Sequence, residues 1–112
     1  MRKSTKDWFK EVGFPITICD ISGVIIYMNQ ESTRHFSKDG GIELIGKSLF
    51  NCHPEPARLM LYDMLATQTP HTFISKSQGS NHLVHETPWY ESGEFMGFIE
   101  ITIDIDGLDA FK

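Results

Sequence analysis

The pattern that most constrains the fold is the alternation of apolar side chains between residues 95 and 104. A repeat of two residues is the repeat of a β-strand, so this run is predicted to be one. One face of the strand would carry Phe95, Gly97, Ile99, Ile101 and Ile103, and the other Met96, Phe98, Glu100, Thr102 and Asp104. Because large apolar residues occur on both faces, we expect both faces of the sheet to be covered.

Four other strands are predicted on similar grounds. Residues 14–19 alternate apolar and polar side chains, residues 24–28 are rich in β-branched ones, and the turn at 20–23 joins them into a hairpin. Residues 71–77 and 81–90 form a second pair, and a turn at 91–94 leads into the last strand.

Short helices are predicted between these two groups of strands. Asn29 is suited to cap a helix of one or two turns, and Pro54 and Pro56 are tolerated in the first turn of another. The apolar face of residues 57–66 marks the longest helix. Two strands, short helices and three strands are typical of an α+β domain with an antiparallel sheet.

The composition fits one folded domain. The 112 residues are 40% hydrophobic, 12% aromatic and 22% charged, which excludes a disordered tail. The net charge is −5 and basic residues cluster only at Arg2, Lys3 and Lys6, so direct binding of nucleic acid is not expected. The chain has no apolar run long enough for a bilayer and no apolar signal-peptide core, so we expect a cytoplasmic protein without a membrane partner.

No metal site is predicted. Cys19 and Cys52 lack the CxxC spacing of a zinc site or a redox dithiol. His82 and His85 are three residues apart on a predicted strand, so their side chains should point to opposite faces.

Four short motifs resemble those of PAS (sensory box) domains. Residues 20–25 (Asp-Ile-Ser-Gly-Val-Ile), followed by Asn29, are similar to the opening hairpin, and residues 44–49 (Leu-Ile-Gly-Lys-Ser-Leu) to the step before the longest helix. Residues 93–97 and 104–106 resemble the closing hairpin and the acidic exit, although Asp106 stands where the family usually has threonine. The resemblance covers residues 14–106, which leaves an N-terminal amphipathic helix at 1–13 and an exit segment at 107–112.

The resemblance implies a five-stranded antiparallel sheet of order 2-1-5-4-3, with short helices on one face around a pocket for a small ligand. It also implies a non-enzymatic sensory or interaction module that passes a signal to an effector domain or partner protein, in signal transduction or regulation of transcription. Two alternatives remain open. One is a ligand-independent dimerisation domain on the same fold, and the other is a small enzyme of ketosteroid-isomerase type, with Asp63 and Tyr62 or Tyr90 as loosely spaced candidates.

The sequence does not identify a cofactor. Haem-binding members of the family commonly supply a histidine from the longest helix, and residues 57–66 contain none. His53, just before that helix, is better explained as a capping or surface residue. Flavin-binding light sensors carry their reactive cysteine in an Asn-Cys-Arg-Phe-Leu-Gln run, whereas Asn51 and Cys52 are followed here by His-Pro.

A small ligand, if one binds, should lie between the helices and the inner face of the sheet. Family position and the methionine-rich helix predict that its pocket is lined by Phe36, Leu49, His53, Met60, Met64, His85 and Trp89. A shift of one residue in the inward face of strand 81–90 would replace His85 with Val84 or Glu86.

We also expect a homodimer. The stripe formed by Trp8, Phe9 and Val12 has the size and period to cover the face that carries Met96 and Phe98. This helix would fold back on its own sheet or cross to a second copy, and PAS-like domains commonly use such a helix in a parallel dimer. These five residues are the predicted dimer interface.

Overall fold

The computed structural model describes residues 5–77 and 79–110. The strand predicted from the C-terminal alternation lies in the middle of a five-stranded antiparallel sheet. The strands are β1 (Ile16–Cys19), β2 (Ile25–Met28), β3 (His71–Ser77), β4 (Ser80–Glu91) and β5 (Glu94–Asp104). Their order in the sheet is β2-β1-β5-β4-β3, which confirms the predicted architecture.

Short helices connect β2 to β3, as the sequence predicts. They are α1 (Gln30–His35), α2 (Leu49–Cys52) and α3 (Ala57–Thr67), with 3-10 turns at Ser37–Asp39 and Gly41–Leu44. Even α3, the longest of them, has only 11 residues. No helix in the described part of the chain is long and apolar enough to cross a membrane.

The N-terminal helix is much shorter than predicted. Within the described residues it is a single 3-10 turn at Trp8–Lys10, and residues 1–4 lie outside the described part of the chain. A helix of this length is marginal without a packed apolar face. Trp8, which should have anchored that face, is 62% exposed.

The first hairpin is closed by the motif that carries the family resemblance. The Asp20 carboxylate accepts hydrogen bonds from the backbone N–H groups of Ser22, at 2.9 Å, and Val24, at 3.0 Å. Gly23 has a φ of 81°, and a Cβ at this position would lie 2.8 Å from the Phe50 ring. The turn therefore requires glycine for its backbone conformation and for its close contact with α2.

Asn29 joins the hairpin, the N-terminal segment and α1. Its Oδ1 accepts from the backbone N–H of Ile16 and of Ser32, both at 2.9 Å, and the second of these bonds caps α1. Its Nδ2 donates to the carbonyl oxygens of Phe9, at 2.9 Å, and Phe14, at 3.0 Å. All four hydrogen-bonding positions of a buried amide are thus occupied.

The faces of β5 differ from the sequence expectation because of a β-bulge. Trp89 pairs with Gly97 and Tyr90 with Phe95, so Met96 has no partner on β4. Past this bulge, Phe95 packs against Phe98, at 5.8 Å between ring centroids, instead of lying on the opposite face. The two phenylalanines therefore share one core, which simple alternation does not predict.

Candidate functional site

A cavity of about 540 Å³ lies between the helices and one face of the sheet, which we call the inner face. Within the described residues, each of the five strands and each of the three α-helices contributes at least one residue to the cavity wall. The lining residues are Thr17, Cys19, Ile25, Met28, His35, Phe36, Asp39, Leu44, Leu49, His53, Leu61, Met64, Phe73, Ser75, Val84, Glu86, Phe98, Glu100 and Thr102.

One wall of the cavity is apolar. Cys19, Met64 and Phe98 are buried against one another, and Leu49 and Leu65 pack around them. Burial raises the pKa of the Cys19 thiol, so this sulfur behaves as a small apolar group. Apolar walls of this kind suit the body of a small organic molecule.

The inner face of the sheet also carries two glutamates that line the cavity. Glu86 on β4 is paired directly with Glu100 on β5, so both side chains leave the sheet on the inner face. Burial, the charge of Glu86 and a hydrogen bond to Glu86 raise the pKa of Glu100 from 4.5 to about 8. At neutral pH the Glu100 carboxyl is therefore protonated and donates to Glu86.

Glu86 has a second neighbour on the edge strand. His71 Nδ1 lies 3.4 Å from Glu86 Oε1, and the two residues are paired between β3 and β4. The Glu86 side chain is 21% exposed, so water reaches this end of the pair. The acidic pair thus extends from the half-buried Glu100 in the cavity wall to a partly open edge.

Three further polar side chains face the cavity from the helical side. His53 donates from Nδ1 to the carbonyl oxygen of Leu49 at 2.8 Å. Burial and the neighbouring His82 lower the pKa of His35, so its ring is neutral at pH 7. Asp39 completes this group.

Four of the seven residues predicted to line a pocket do line this cavity. They are Phe36, Leu49, His53 and Met64, which come from the ends of α1 and α2 and from the middle of α3. Most of the residues that were predicted on the helical side of the pocket therefore lie around this one cavity.

The other three residues lie elsewhere. Met60 on α3, one turn before Met64, is 45% exposed and does not line the cavity. On β4 the lining residues are Val84 and Glu86, so His85 leaves the sheet on the outer face, where its Nδ1 is 2.7 Å from Thr72 Oγ1. Trp89, paired with Gly97, is likewise absent from the lining. The prediction was wrong by one residue about which side chains of β4 face the cavity, so neither His85 nor Trp89 lines it.

The residues predicted for a dimer interface are also divided. Phe98 is only 5% exposed and packs into the cavity wall, so it lies on the inner face and not on the outer one. Phe9 contacts the Tyr27 ring edge to face, at 5.5 Å between centroids, while Trp8 is exposed and Val12 and Met96 are half-buried. The N-terminal turn thus packs on the first hairpin and does not cover Phe98.

Sequence reasoning missed Glu100 as a site residue. The available signal was an acidic residue between Phe98 and Thr102 on a strand with apolar side chains on both faces. A charged residue in such a position is expensive to bury and often marks a site. Its partner Glu86 appeared only as an alternative to His85, because the pairing that joins the two is not visible along the chain.

Comparison with known proteins agrees with this architecture. The PAS domain of BvgS from Bordetella pertussis matches with 23% sequence identity and a TM-score of 0.64, over 88% of this chain and 81% of that one. The Aer2 receptor from Vibrio cholerae, described as a dual PAS-heme oxygen sensor, matches with 18% identity and a TM-score of 0.64, over 82% of this chain and 94% of that one.

A third structure extends beyond the region of likeness. VqmA from Vibrio cholerae matches with 17% identity and a TM-score of 0.68, over 93% of this chain but 52% of the VqmA chain. This chain thus spans about half the length of that protein. At these identities the likeness concerns the fold.

Sequence comparison identifies the family. No curated protein sequence matches this chain significantly. The family model described as "PAS fold" matches residues 9–109, which is nearly the whole chain. Together with the strand order and the cavity beneath the helices, this match shows that the chain belongs to the PAS family, whose members are typically sensory modules of signal transduction.

Proposed function

We propose that this domain is a non-enzymatic sensory module that binds a small molecule in its cavity and passes the signal to an effector domain or partner protein. The observation that carries the proposal is the cavity of about 540 Å³, within the range of small-molecule sites. Within the described residues its lining joins the five strands to the three α-helices, so an occupant would contact both the sheet and the helices that cover it.

Solved structures with a similar fold support such a role. One is VqmA bound to DPO, another is a VqmA–ligand–DNA complex, and a third is the sensor region of a sensor histidine kinase. In these three chains the matched region is 54%, 54% and 44% of the length, so a domain like this one occurs beside other segments. A ligand-dependent effect on an attached or separate effector is the function we propose here.

The enzyme alternative has weaker support. Tyr62 and Tyr90 are 54% and 50% exposed and Asp63 is exposed, and none of these three lines the cavity. A ketosteroid-isomerase mechanism needs a base and an oxyanion donor in one enclosed space. The candidates that the sequence offered for these roles do not share such a space.

The test is to purify the domain from cells, denature it and identify any released small molecule by mass spectrometry. An absorption spectrum of the folded protein, taken beforehand, would report haem or flavin. We expect a stoichiometric organic compound to be released. A protein that retains no compound and binds none from a small-molecule library would contradict the proposal.

Two variants connect binding to the cavity. Val84→Phe and Ser75→Phe add bulk to the lining, whereas Leu83→Phe adds the same ring to the neighbouring position of β4 that does not line the cavity. We expect both lining variants to lose the ligand and Leu83→Phe to keep it. Retention of the ligand by folded Val84→Phe and Ser75→Phe would exclude this cavity as the binding site.

A second proposal is that the domain forms a homodimer through the outer face of the sheet. Exposed apolar side chains support it, because Trp8 is 62%, Ile74 63% and Ile103 41% exposed. Ile74 and Ile103 lie on either side of Leu83 in the sheet, so they form one patch. A second copy of the chain would bury this patch.

Analytical ultracentrifugation at micromolar concentrations tests this assembly. We expect a dimer for the native chain and a monomer for Ile74→Glu/Ile103→Glu. Leu59→Glu, which changes a 61% exposed residue on α3, is the matched control and should remain dimeric. A monomeric native chain would exclude the dimer, and a dimeric Ile74→Glu/Ile103→Glu variant would exclude this face. Comparison with Trp8→Ala shows whether the N-terminal turn contributes.

A further inference from the structure

We propose that the ligand of this cavity carries a positively charged nitrogen group, of amidinium or ammonium type, which binds between Glu86 and Glu100. This inference rests on the proposed function, because it concerns the chemistry of the molecule that the cavity accepts. It goes further by stating the charge that this molecule must carry and the two residues that recognise it.

The two carboxyl groups lie side by side in the cavity wall. Glu86 and Glu100 are direct cross-strand partners, and both line the cavity. On the other side of β5, Glu100 is paired with Thr17, a neutral residue whose hydroxyl is hydrogen bonded to Ser32. Neither direct cross-strand partner of Glu100 therefore carries a positive charge.

The charge of the rest of the cavity wall depends on its other titratable side chains. The other titratable side chains that face the cavity are Cys19, His35, Asp39 and His53. The Cys19 thiol and the His35 ring are neutral at pH 7, since burial raises the pKa of the first and lowers that of the second. No lysine or arginine is among the described residues of the lining, so the wall carries negative charge.

Two adjacent carboxyl groups can be stabilised by a shared proton or by a bound cation. Ionisation of both carboxyl groups is unfavourable because two like charges would then be in contact. Without a ligand the two groups therefore share a proton. A bound cation with two N–H donors removes the need for that proton and forms charge-assisted hydrogen bonds to both groups. His71 already contacts Glu86 from the edge strand, which leaves the inner side of the pair facing the cavity.

The uncharged part of the ligand would lie against the apolar part of the cavity wall. Cys19, Met64 and Phe98 form the apolar wall described above. A ligand with an apolar body and one cationic end would match both this apolar wall and the two carboxyl groups beside it. An anionic ligand would have to lie beside Glu86 and Asp39, which face the same space.

Three probes of nearly equal shape test the charge. Benzamidinium, benzamide and benzoate share one ring and carry charges of +1, 0 and −1. We expect calorimetric titration of the ligand-free domain to show binding that decreases in that order, with at least about a tenfold preference for benzamidinium over benzamide at pH 9. Equal binding of benzamide and benzamidinium would overturn the inference about charge and leave the proposed function standing. Binding of none of the three would also overturn the inference about charge, whereas the proposed function is contradicted only if the domain retains no compound and binds none from a library.

The pH dependence provides a second readout. If binding of the cation displaces the proton shared by the pair, its affinity should rise about tenfold between pH 7 and pH 9, because the pKa of Glu100 is about 8. At pH 7 close to one proton should be released for each molecule bound, measurable from titrations in buffers of different ionisation enthalpy. Benzamide binding should not change with pH. A pH-independent affinity for benzamidinium would overturn the displacement.

Conservative variants identify the residues. Glu100→Gln and Glu86→Gln keep the side-chain shape and remove one carboxylate each, and both should lose the preference for benzamidinium over benzamide. Glu94→Gln, at the exposed start of the same strand, is the matched control and should keep it. Retained preference in folded Glu100→Gln and Glu86→Gln would show that another part of the protein selects the cation.

Discussion

Gly97 on β5 lies directly against the backbone of Cys19 at the end of β1. A Cβ built on Gly97 would be 2.0 Å from the carbonyl oxygen of Cys19, and the φ of Gly97 is 136°, a value that side chains rarely permit. The missing side chain therefore allows the two central strands to approach where the bulge at Met96 redirects β5. Phe98, the next residue, can then enter the cavity wall.

Gly97→Ala should accordingly be severely destabilising. We expect a loss of about 4 kcal/mol in the free energy of unfolding, since the methyl group meets backbone and cannot be accommodated by a rotamer change. Urea unfolding followed by circular dichroism measures this loss. Gly13→Ala is the control, because a Cβ there meets nothing within 4 Å, and it should change the stability by less than about 0.5 kcal/mol. Similar stabilities for the two variants would refute the argument.

Asn29→Asp should also destabilise the fold, although the two side chains have the same shape. The Asn29 Nδ2 group donates to the carbonyl oxygens of Phe9 and Phe14, and an aspartate would place an acceptor opposite both of them. We expect a loss of about 3 kcal/mol at pH 7 in the same unfolding experiment.

Asn51→Asp serves as the control for this change. Asn51 is exposed, so its substitution should cost less than about 0.5 kcal/mol. If Asn29→Asp were equally harmless, the hydrogen bonds from Nδ2 would contribute little to stability.

The stability of the domain should fall as the pH rises from 4.5 to about 8. The pKa of Glu100 is raised from 4.5 to about 8 in the folded protein, so in this range the folded state holds a proton that the unfolded state has released. Raising the pH therefore stabilises the unfolded state relative to the folded one, by up to about 1.4 kcal/mol for each pH unit.

Glu100→Gln isolates this effect. The difference in unfolding free energy between the variant and the native chain should shift in favour of the variant as the pH rises from 5 to 8, and should level off above pH 8. Glu94→Gln should show no such trend. A constant difference between Glu100→Gln and the native chain would mean that Glu100 titrates normally.

Cys19 should resist alkylation in the folded protein. Burial raises the pKa of its thiol and restricts access to it, and the thiolate is the reactive form. At pH 8 we expect iodoacetamide to modify Cys19 at least about tenfold more slowly in the folded chain than in the chain unfolded by urea, as measured by peptide mass spectrometry. Equal rates in the two states would contradict the burial of this side chain in the cavity wall.

The sequence by itself determined the elements and their order. Period-two runs and turn glycines such as Gly23 predict strands and the turns between them, because the alternation of side chains and the conformation of a turn are local properties. The Asp20 turn, the Asn29 cap and the resemblance of these motifs to PAS domains led from there to the strand order. The helical lining residues Phe36, Leu49, His53 and Met64 also followed from their place relative to these motifs.

Only the tertiary structure decided which strand residues face the cavity. The N-terminal stripe was predicted to cover Phe98, but Phe98 packs with Cys19 and Met64 on the inner face, and Val84 and Glu86 take the place expected for His85. Facing changes with a shift of one residue, and the shift depends on a bulge and on pairing between distant segments. Glu86 and Glu100 are fourteen positions apart in sequence and meet only through the register of β4 with β5, so no local pattern could bring them together.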